Sequence, residues 1–199
     1  MNSRSPQHAD NSILKNIYSR HSVRSYAQTR PDNAAVETLL DAAVHAPTAM
    51  HEEPWAFVIV QAPAILQRIS DLAKPIFVEE VRHRNAHGAS HSFDHFIRPD
   101  FNIFYDANTL IIICAKSLSP FVVADCWLAA ENLMLAAQSM GLGSCVIGSA
   151  VAALNIHKVK KDLGIADDYS AVAPIVIGTP RGETSATSRK EPLILSWIK

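Results

Sequence analysis

The sequence of 199 residues has almost no net charge and no long apolar run, and each absence excludes a class of protein. With a formal net charge of −1, a strong non-specific attraction to nucleic acid or to anionic lipid is not expected. The longest apolar run, 110–115, is far shorter than the about 20 residues that span a bilayer, and the N-terminal residues contain no apolar segment of signal-peptide length. We therefore expect a cytoplasmic protein that binds neither nucleic acid nor a membrane.

Cysteine is also scarce, with three residues, Cys114, Cys126 and Cys145, that form no C-x-x-C pair. An odd number without such a pair indicates reduced thiols rather than a disulfide framework. Cys114 lies in a strand-like run and Cys126 in a helix-like one, and free cysteine is among the most buried residue types. We expect these two to be buried structural thiols, with a reactive cysteine as the alternative.

The remaining composition, 48% hydrophobic and 19% charged, is typical of a globular protein with one core. No internal repeat, low-complexity tract or linker divides the chain, so we expect a single domain over 1–199. Helical spacing alternates with short apolar runs, which predicts an α+β fold built in layers. The predicted helices cover 11–20, 33–46, 63–73, 125–140 and 154–163, and the predicted extended segments cover 55–61, 109–115, 144–147, 171–178 and 193–198.

Two of these segments predict the centre of the molecule. The continuous apolar run 109–115 indicates a strand buried on both faces. The segment 125–140 is apolar nearly all round, which is typical of a buried helix, and Gly141 and Gly143 end it. Because a chain of this size has to cover such a helix on every side, a partner subunit is expected to bury part of it.

The segment 74–106 differs from the rest because it is rich in His, Arg and Phe and lacks a sustained apolar period. We interpret it as a short helix followed by a mobile excursion, a candidate lid. Its histidines are spaced four apart: His83, His87, His91 and His95. Their direction drifts by about 40° per step around a helix, so four of them cannot surround one ion. The sequence therefore favours a solvated lid face over a metal site.

A short basic motif, R-H-S-V-R at 20–24, follows the first predicted helix. Arginine offers a planar fork of donors that matches phosphate oxygens. In an extended segment, Arg20, Ser22 and Arg24 lie on the same side. From the residues alone, the motif is either a phosphate site or a solvated basic turn.

Three further segments could contact a ligand. The loop 46–55 carries two prolines and small residues that leave backbone amides open to a flat ligand. From composition alone, however, a rigid connecting loop without a ligand is favoured. The segment 141–148 is not G-x-G-x-x-G and precedes a strand, which argues against a dinucleotide-binding unit. It is either a helix cap followed by a strand or a backbone contact to a cofactor. The cations of 189–190 belong to a solvated tail or to the same phosphate site as 20–24.

The order and spacing of these segments resemble the nitroreductase family. The N-terminal matches are R-x-S-x-R at 20–26 and, at 46–58, A-P-T followed by H-E-E-P-W, where the family has N-x-Q-P-W. The later matches are the long helix with its G-L-G turn at 125–148, I-G-T-P at 177–180 and R-K-E-P-L at 189–193. The resemblance covers roughly residues 13–198. No single motif is specific, but their order and spacing together are.

The resemblance implies a nitroreductase-like α+β fold: a central mixed sheet flanked by helices, a buried central helix and a homodimer. It implies FMN as cofactor, reduced by NADH or NADPH and reoxidised by a nitro compound, quinone or similar acceptor in a ping-pong cycle. The flavin carries the chemistry, so no catalytic side chain is assigned. The implied cofactor-binding residues are Arg20, His21, Ser22, Arg24, Pro47, Thr48, Ala49, Met50, His51, Cys145, Val146, Ile147, Gly148 and Arg189. The loop 47–51 is expected to reach the flavin of the other subunit.

Two residues depart from the family pattern: His51 stands for asparagine and Glu53 for glutamine. Asparagine offers a donor and an acceptor to the flavin ring, whereas a carboxylate only accepts. We expect Glu53 to be paired with a cation or turned away from the ring. These departures keep a non-catalytic flavin-binding protein open as an alternative. The segment 74–106 keeps two others open: a dehalogenase-like or flavin-consuming enzyme of the same fold, and a metal-binding module built on the lid histidines.

Overall fold

An antiparallel sheet forms the centre of the protein, in a computed structural model that describes residues 11–84, 96, 98–182 and 188–199. Within the described residues it has four strands in the order β1-β2-β4-β3. Their bounds are β1 Trp55–Val60, β2 Thr109–Lys116, β3 Gly143–Val146 and β4 Tyr169–Gly178. Every pair of neighbouring strands is antiparallel. In the described part, the parallel component of the expected mixed sheet is a single bridge between Ser22 and Ser144.

Six α-helices surround the sheet in the described part of the chain. They are α1 Ser12–Ser19, α2 Asn33–Val44, α3 Pro63–Arg84, α4 Pro120–Ser139, α5 Val151–Leu154 and α6 His157–Asp162. Each of the five predicted helices is present, but one expected helix, 154–163, is divided in two. Asn155 interrupts it, because its side chain bonds both the N–H and the carbonyl of Ala171 in β4, each at 2.9 Å.

The predicted end of the third helix near Ala73 is wrong. Helix α3 continues past Pro75 to Arg84, because Ala73 and Val78 stay buried against the core and support the helix on both sides of the proline. Residues 74–84 of the expected lid are therefore helix. Residues 85–95 and 97 lie outside the described residues.

The two faces of the sheet carry separate hydrophobic clusters, and β2 contributes alternate side chains to each. Leu110, Ile112 and Cys114 pack with α3, α5 and α6, whereas Ile111 and Ile113 pack with α2 and α4. All five are at most 1% exposed. The prediction of a strand buried on both faces is confirmed.

Helix α4 starts earlier than predicted because Ser119 caps it. The Ser119 side chain accepts a hydrogen bond from the N–H of Val122, and Pro120 takes the first helical position. One face of α4 packs on the sheet and on α2, while Phe121, Trp127 and Leu128 remain exposed in the single chain. By length and composition α4 is apolar enough to cross a membrane, but in this fold it packs in the core as the central helix.

The segment 188–199 forms no helix or strand and is exposed along its whole length. The expected extended segment 193–198 carries exposed apolar side chains, among them Leu195 at 91% and Trp197 at 75%. In the described residues, all three cysteines are free and buried, which confirms the expectation for Cys114 and Cys126. Burial raises the pKa of the Cys114 thiol to about 12 and that of Cys126 to about 11.

Candidate functional site

The basic motif belongs to an extended segment, 20–27, that lies along the edge of the sheet. The N–H of Val23 donates to Ser144 O in β3 at 3.0 Å, and the N–H of Ala27 donates to Thr179 O just after β4 at 2.8 Å. Val23 and Tyr26 are buried, and the Tyr26 hydroxyl donates to Val23 O at 2.7 Å. Burial raises the pKa of Tyr26 above its ordinary value, so the hydroxyl remains a donor. The segment is held to two strands at once.

Two glycines let this segment approach the sheet closely. A Cβ on Gly143 would lie 2.7 Å from Cγ2 of Val23, and a Cβ on Gly178 would lie 2.9 Å from Cδ1 of Tyr26. Neither distance is compatible with an ordinary carbon contact of about 3.5–4.0 Å. The second glycine of the G-L-G turn is therefore a packing requirement, whereas Gly141, at φ 72°, is the one that ends α4.

The bridge between Ser22 and Ser144 aligns the basic segment with β3, next to Cys145. Burial raises the pKa of Cys145, while Arg24, a hydrogen bond from Ser22 and Arg20 each act to lower it. The Arg20 Nε lies 3.5 Å from Oε1 of Glu131. Arg20, Ser22 and Arg24 therefore lie along one edge of the sheet.

Arg24 and His21 have different surroundings. The Arg24 guanidinium is exposed and lies 6.0 Å from the ring centroid of Tyr105. His21 lines a cavity of about 210 Å³ together with Val23, Gly143 and Pro180, and its Nδ1 lies 2.9 Å from Ser19 O. The structure therefore groups His21 with Val23 rather than with the two arginines.

The end of β3 offers open backbone beside this cluster. Ile147 is buried and its N–H donates to Pro174 O at 2.9 Å, and Val146 is half-buried. Gly148 is exposed, and no atom lies within 4 Å of where its Cβ would be. A flat ligand can approach the backbone of Gly148 without a steric clash. The donors and the open backbone together suit a ligand with an anionic group and a planar ring.

The second predicted segment forms a separate turn, 48–53, that is bonded to α4 through Asp125. Three of its residues adopt left-handed backbone angles: Met50 at φ 57°, His51 at φ 55° and Glu53 at φ 45°. Pro47 and these three side chains are exposed. Among the described residues, no hydrogen bond or ion pair joins this turn to 20–24. In the single chain the two predicted segments are therefore separate.

Glu53 and Arg189 have no side-chain partner among the described residues. Glu53 makes no ion pair there, so the expected pairing with a cation is not present in the single chain. Arg189 is exposed in the tail and contacts neither Arg20 nor Arg24 through a hydrogen bond.

Among the described residues, the histidines of the expected lid form no metal site. His83 lies 3.1 Å from Glu79 on the same helix, and His87, His91 and His95 lie outside the described residues. Within the described ranges, no group of three or more His, Cys, Asp or Glu side chains could hold an ion.

Asp125 is the one contributor to the site that the sequence reasoning missed. It is 4% exposed, and both carboxylate oxygens accept from the N–H of Ala49, at 3.2 and 3.3 Å. The sequence contains a signal for it, because Asp125 is the sole charged residue in the apolar stretch 121–130. A buried carboxylate needs a hydrogen-bond partner, and the nearest unusual backbone is the turn 48–53.

Comparison with known proteins bears on the family and the fold of the chain. The sequence model of the nitroreductase family matches residues 17–179. A protein of Archaeoglobus fulgidus that carries the provisional name NADH dehydrogenase/NAD(P)H nitroreductase is 27% identical over 175 residues, which cover 85% of this chain and 86% of the relative. An iodotyrosine deiodinase of Thermotoga neapolitana is 27% identical over 128 residues, covering 63% of this chain and 67% of the relative. The crystal structure of a nitroreductase with bound FMN from Bacteroides fragilis has a TM-score of 0.78 at 23% identity, covering 94% of this chain and 98% of that chain, and so shares the fold.

Proposed function

The chain belongs to the nitroreductase family, and on that premise we propose that it is an FMN-dependent oxidoreductase. NADH or NADPH supplies the electrons, and a nitro compound, quinone or similar small acceptor takes them in a separate, ping-pong half-reaction. The observation that carries the proposal is the attachment of the segment with Arg20, Ser22 and Arg24 to the edge strand β3, beside the open backbone of Gly148. FMN, when bound, supplies the hydride chemistry, and the protein binds and orients it.

The two arginines have unequal parts in holding the FMN phosphate. Glu131 is 3.5 Å from Arg20 and neutralises part of its charge, so Arg20 is the weaker phosphate donor and can also reach the edge of a ring. Among the described residues Arg24 makes no ion pair, so it keeps its full charge for the phosphate. Arg189, in the exposed tail, brings a further cation when the tail folds over a site.

The exposed apolar surface supports an obligate homodimer. Phe121, Trp127 and Leu128 on α4 and the apolar side chains of 193–198 are exposed in one chain, and exposed surface of this kind marks an interface. A second copy covers this surface and brings the turn 48–53 to the flavin of its partner. The dimer should bury more than the roughly 1,600 Å² of a standard interface. A stable monomer in sedimentation at micromolar concentration would contradict it.

The proposed cofactor and donor are tested on purified protein. We expect flavin absorption at close to one FMN per chain, and rapid bleaching of that absorption on adding NADH or NADPH under anaerobic conditions. Reoxidation by a nitroaromatic or a quinone should follow, and parallel initial-velocity plots would establish the ping-pong order. Protein that binds FMN but is not reduced by either nicotinamide would be a flavin-binding protein without this activity.

Reductive dehalogenation is the second candidate. Its support is the similarity to an iodotyrosine deiodinase together with His51 and Glu53, which replace the neutral amides expected of a nitroreductase. The two functions are separated by supplying reduced enzyme with 3-iodotyrosine or with a nitroaromatic. Iodide release faster than nitro reduction would favour the deiodinase activity.

A further inference from the structure

The turn 48–53 is held in an unfavourable shape. Left-handed backbone angles are disfavoured for residues with a Cβ, yet Met50, His51 and Glu53 all adopt them within four positions. Such conformations persist only where the surroundings enforce them, and they concentrate at functional sites. Its backbone bonds are local, such as that from the N–H of Glu52 to Ala49 O at 3.2 Å, and local bonds of this kind do not tie the turn to the rest of the fold.

A buried carboxylate supplies the missing restraint. Both oxygens of Asp125, in the second turn of the core helix α4, accept from the N–H of Ala49 at the start of the turn. Among the described residues, no other side chain bonds to the backbone of 48–53. The far side of the turn is free, because Met50 is 87% exposed and His51 is exposed as well. The turn is therefore held on its buried side by Asp125, and the side chains of Met50 and His51 are exposed to solvent.

We propose that Asp125 is a positioning residue of the flavin site: through the Ala49 amide it holds the turn 48–53 in the shape in which Met50 and His51 meet the flavin of the partner subunit. This inference rests on the proposed function. Asp125 touches neither cofactor nor substrate, and it acts only through the backbone of the turn. A charged acceptor is suited to this task because its hydrogen bond to an N–H is stronger than a neutral one.

The test compares Asp125→Leu, which keeps the shape but has no acceptor, with Asp125→Asn, which keeps one acceptor oxygen. FMN is titrated into full-length apoprotein and its dissociation constant is read from quenching of flavin fluorescence. We expect Asp125→Leu to weaken binding roughly tenfold or more and Asp125→Asn by about threefold. Hydrogen exchange of the peptide 47–54, measured without FMN, should speed up in the leucine variant and change little in the asparagine variant.

Ala49→Pro removes the same hydrogen bond from the donor side. Thr48 has φ −128° and ψ 150°, a conformation that a following proline accepts. Ala49→Pro should weaken FMN binding as Asp125→Leu does, and the double variant should be no weaker than either single one, because both remove one interaction. This variant decides the question if Asp125→Leu does not fold.

Leu133→Val is the matched control, because Leu133 is equally buried on α4 but contacts the sheet side rather than the turn. It should lower stability and leave both FMN affinity and exchange of 47–54 unchanged. Wild-type FMN affinity in Asp125→Leu and Ala49→Pro would overturn the inference while leaving the proposed function intact. An equal loss of affinity in Leu133→Val would also overturn it. A wild-type protein that fails to bind FMN would overturn both.

Discussion

Gly143→Ala tests whether the contact between the basic segment and the sheet edge builds the cofactor site. The new Cβ would lie 2.7, 2.8 and 2.9 Å from the Cγ2, Cβ and Cγ1 atoms of Val23. A normal contact needs roughly 1 Å more. Val23 cannot rotate away, because β-branched side chains are stiff at χ1 and this one is 2% exposed. The segment 20–27 therefore has to move, and the 3.0 Å bond from the N–H of Val23 to Ser144 O lengthens.

Overpacking of this kind costs roughly 1–3 kcal/mol of the free energy of unfolding. Val23→Ala would leave the Cβ contact at 2.8 Å, so the partner variant is Val23→Gly, which removes all three atoms and alone should cost roughly 3 kcal/mol. If the clash is the cause, the double variant should cost about 3 kcal/mol rather than the about 5 kcal/mol expected of independent changes. The same double variant should recover part of the FMN affinity that Gly143→Ala loses.

The assay is equilibrium unfolding in urea at a fixed protein concentration, paired with an FMN titration. Gly148→Ala is the matched control, because no atom lies within 4 Å of its Cβ position. It should be nearly neutral for stability yet weaken FMN binding, since its methyl group enters the space open to the ligand. A neutral Gly143→Ala, or additive costs in the double variant, would refute the reasoning.

Three other changes report on the site and the core. Arg24→Ala should weaken FMN binding by roughly 1.5–3 kcal/mol and riboflavin binding very little. Equal losses of affinity for both ligands would show that Arg24 does not contact the phosphate. The double change His51→Asn with Glu53→Gln should shift the flavin midpoint potential and flatten its dependence on pH between about 5 and 8, where histidine side chains change charge, whereas superimposable potentiometric titrations would show that neither side chain affects the flavin. Because burial raises the pKa of Cys114 to about 12 and of Cys126 to about 11, both thiols should resist iodoacetamide at pH 8 until the protein is unfolded, as read by mass spectrometry. The unfolded thiols ionise first, so the free energy of unfolding should fall as pH rises from about 9 towards these values, and fast labelling of the native protein would contradict the burial.

The sequence predicted those features that follow from periodicity. The apolar run of β2 and the even spacing of Arg20, Ser22 and Arg24 each depend on local chain geometry alone, and the structure shows both. The features that it did not predict depend on contacts between distant segments. Helix α3 passes Pro75 because the core supports it on both sides, and Asn155 divides a predicted helix because it bonds to a strand about 16 positions away.

The least predictable part of the site is the turn 48–53. Its left-handed residues are not glycine or asparagine, so no residue in it indicates the conformation. The restraint, Asp125, lies 76 positions further along the chain from Ala49. A lone carboxylate in an apolar helix shows that a partner exists, but only the fold identifies which backbone N–H it is.

The attachment of the basic segment to β3 and to the end of β4 also determines when in synthesis the cofactor site is completed. The bonded pairs Val23 with Ser144 and Ser25 with Arg181 are separated by about 120 and about 155 positions in the chain. Arg20 and Arg24 leave the ribosome early, whereas β3 and β4 are synthesised much later. For most of translation the basic segment therefore has no strand with which to pair. Sequence-distant pairings of this kind form slowly. Nascent chains that stop short of β4 should therefore be unable to retain flavin, however complete their basic motif.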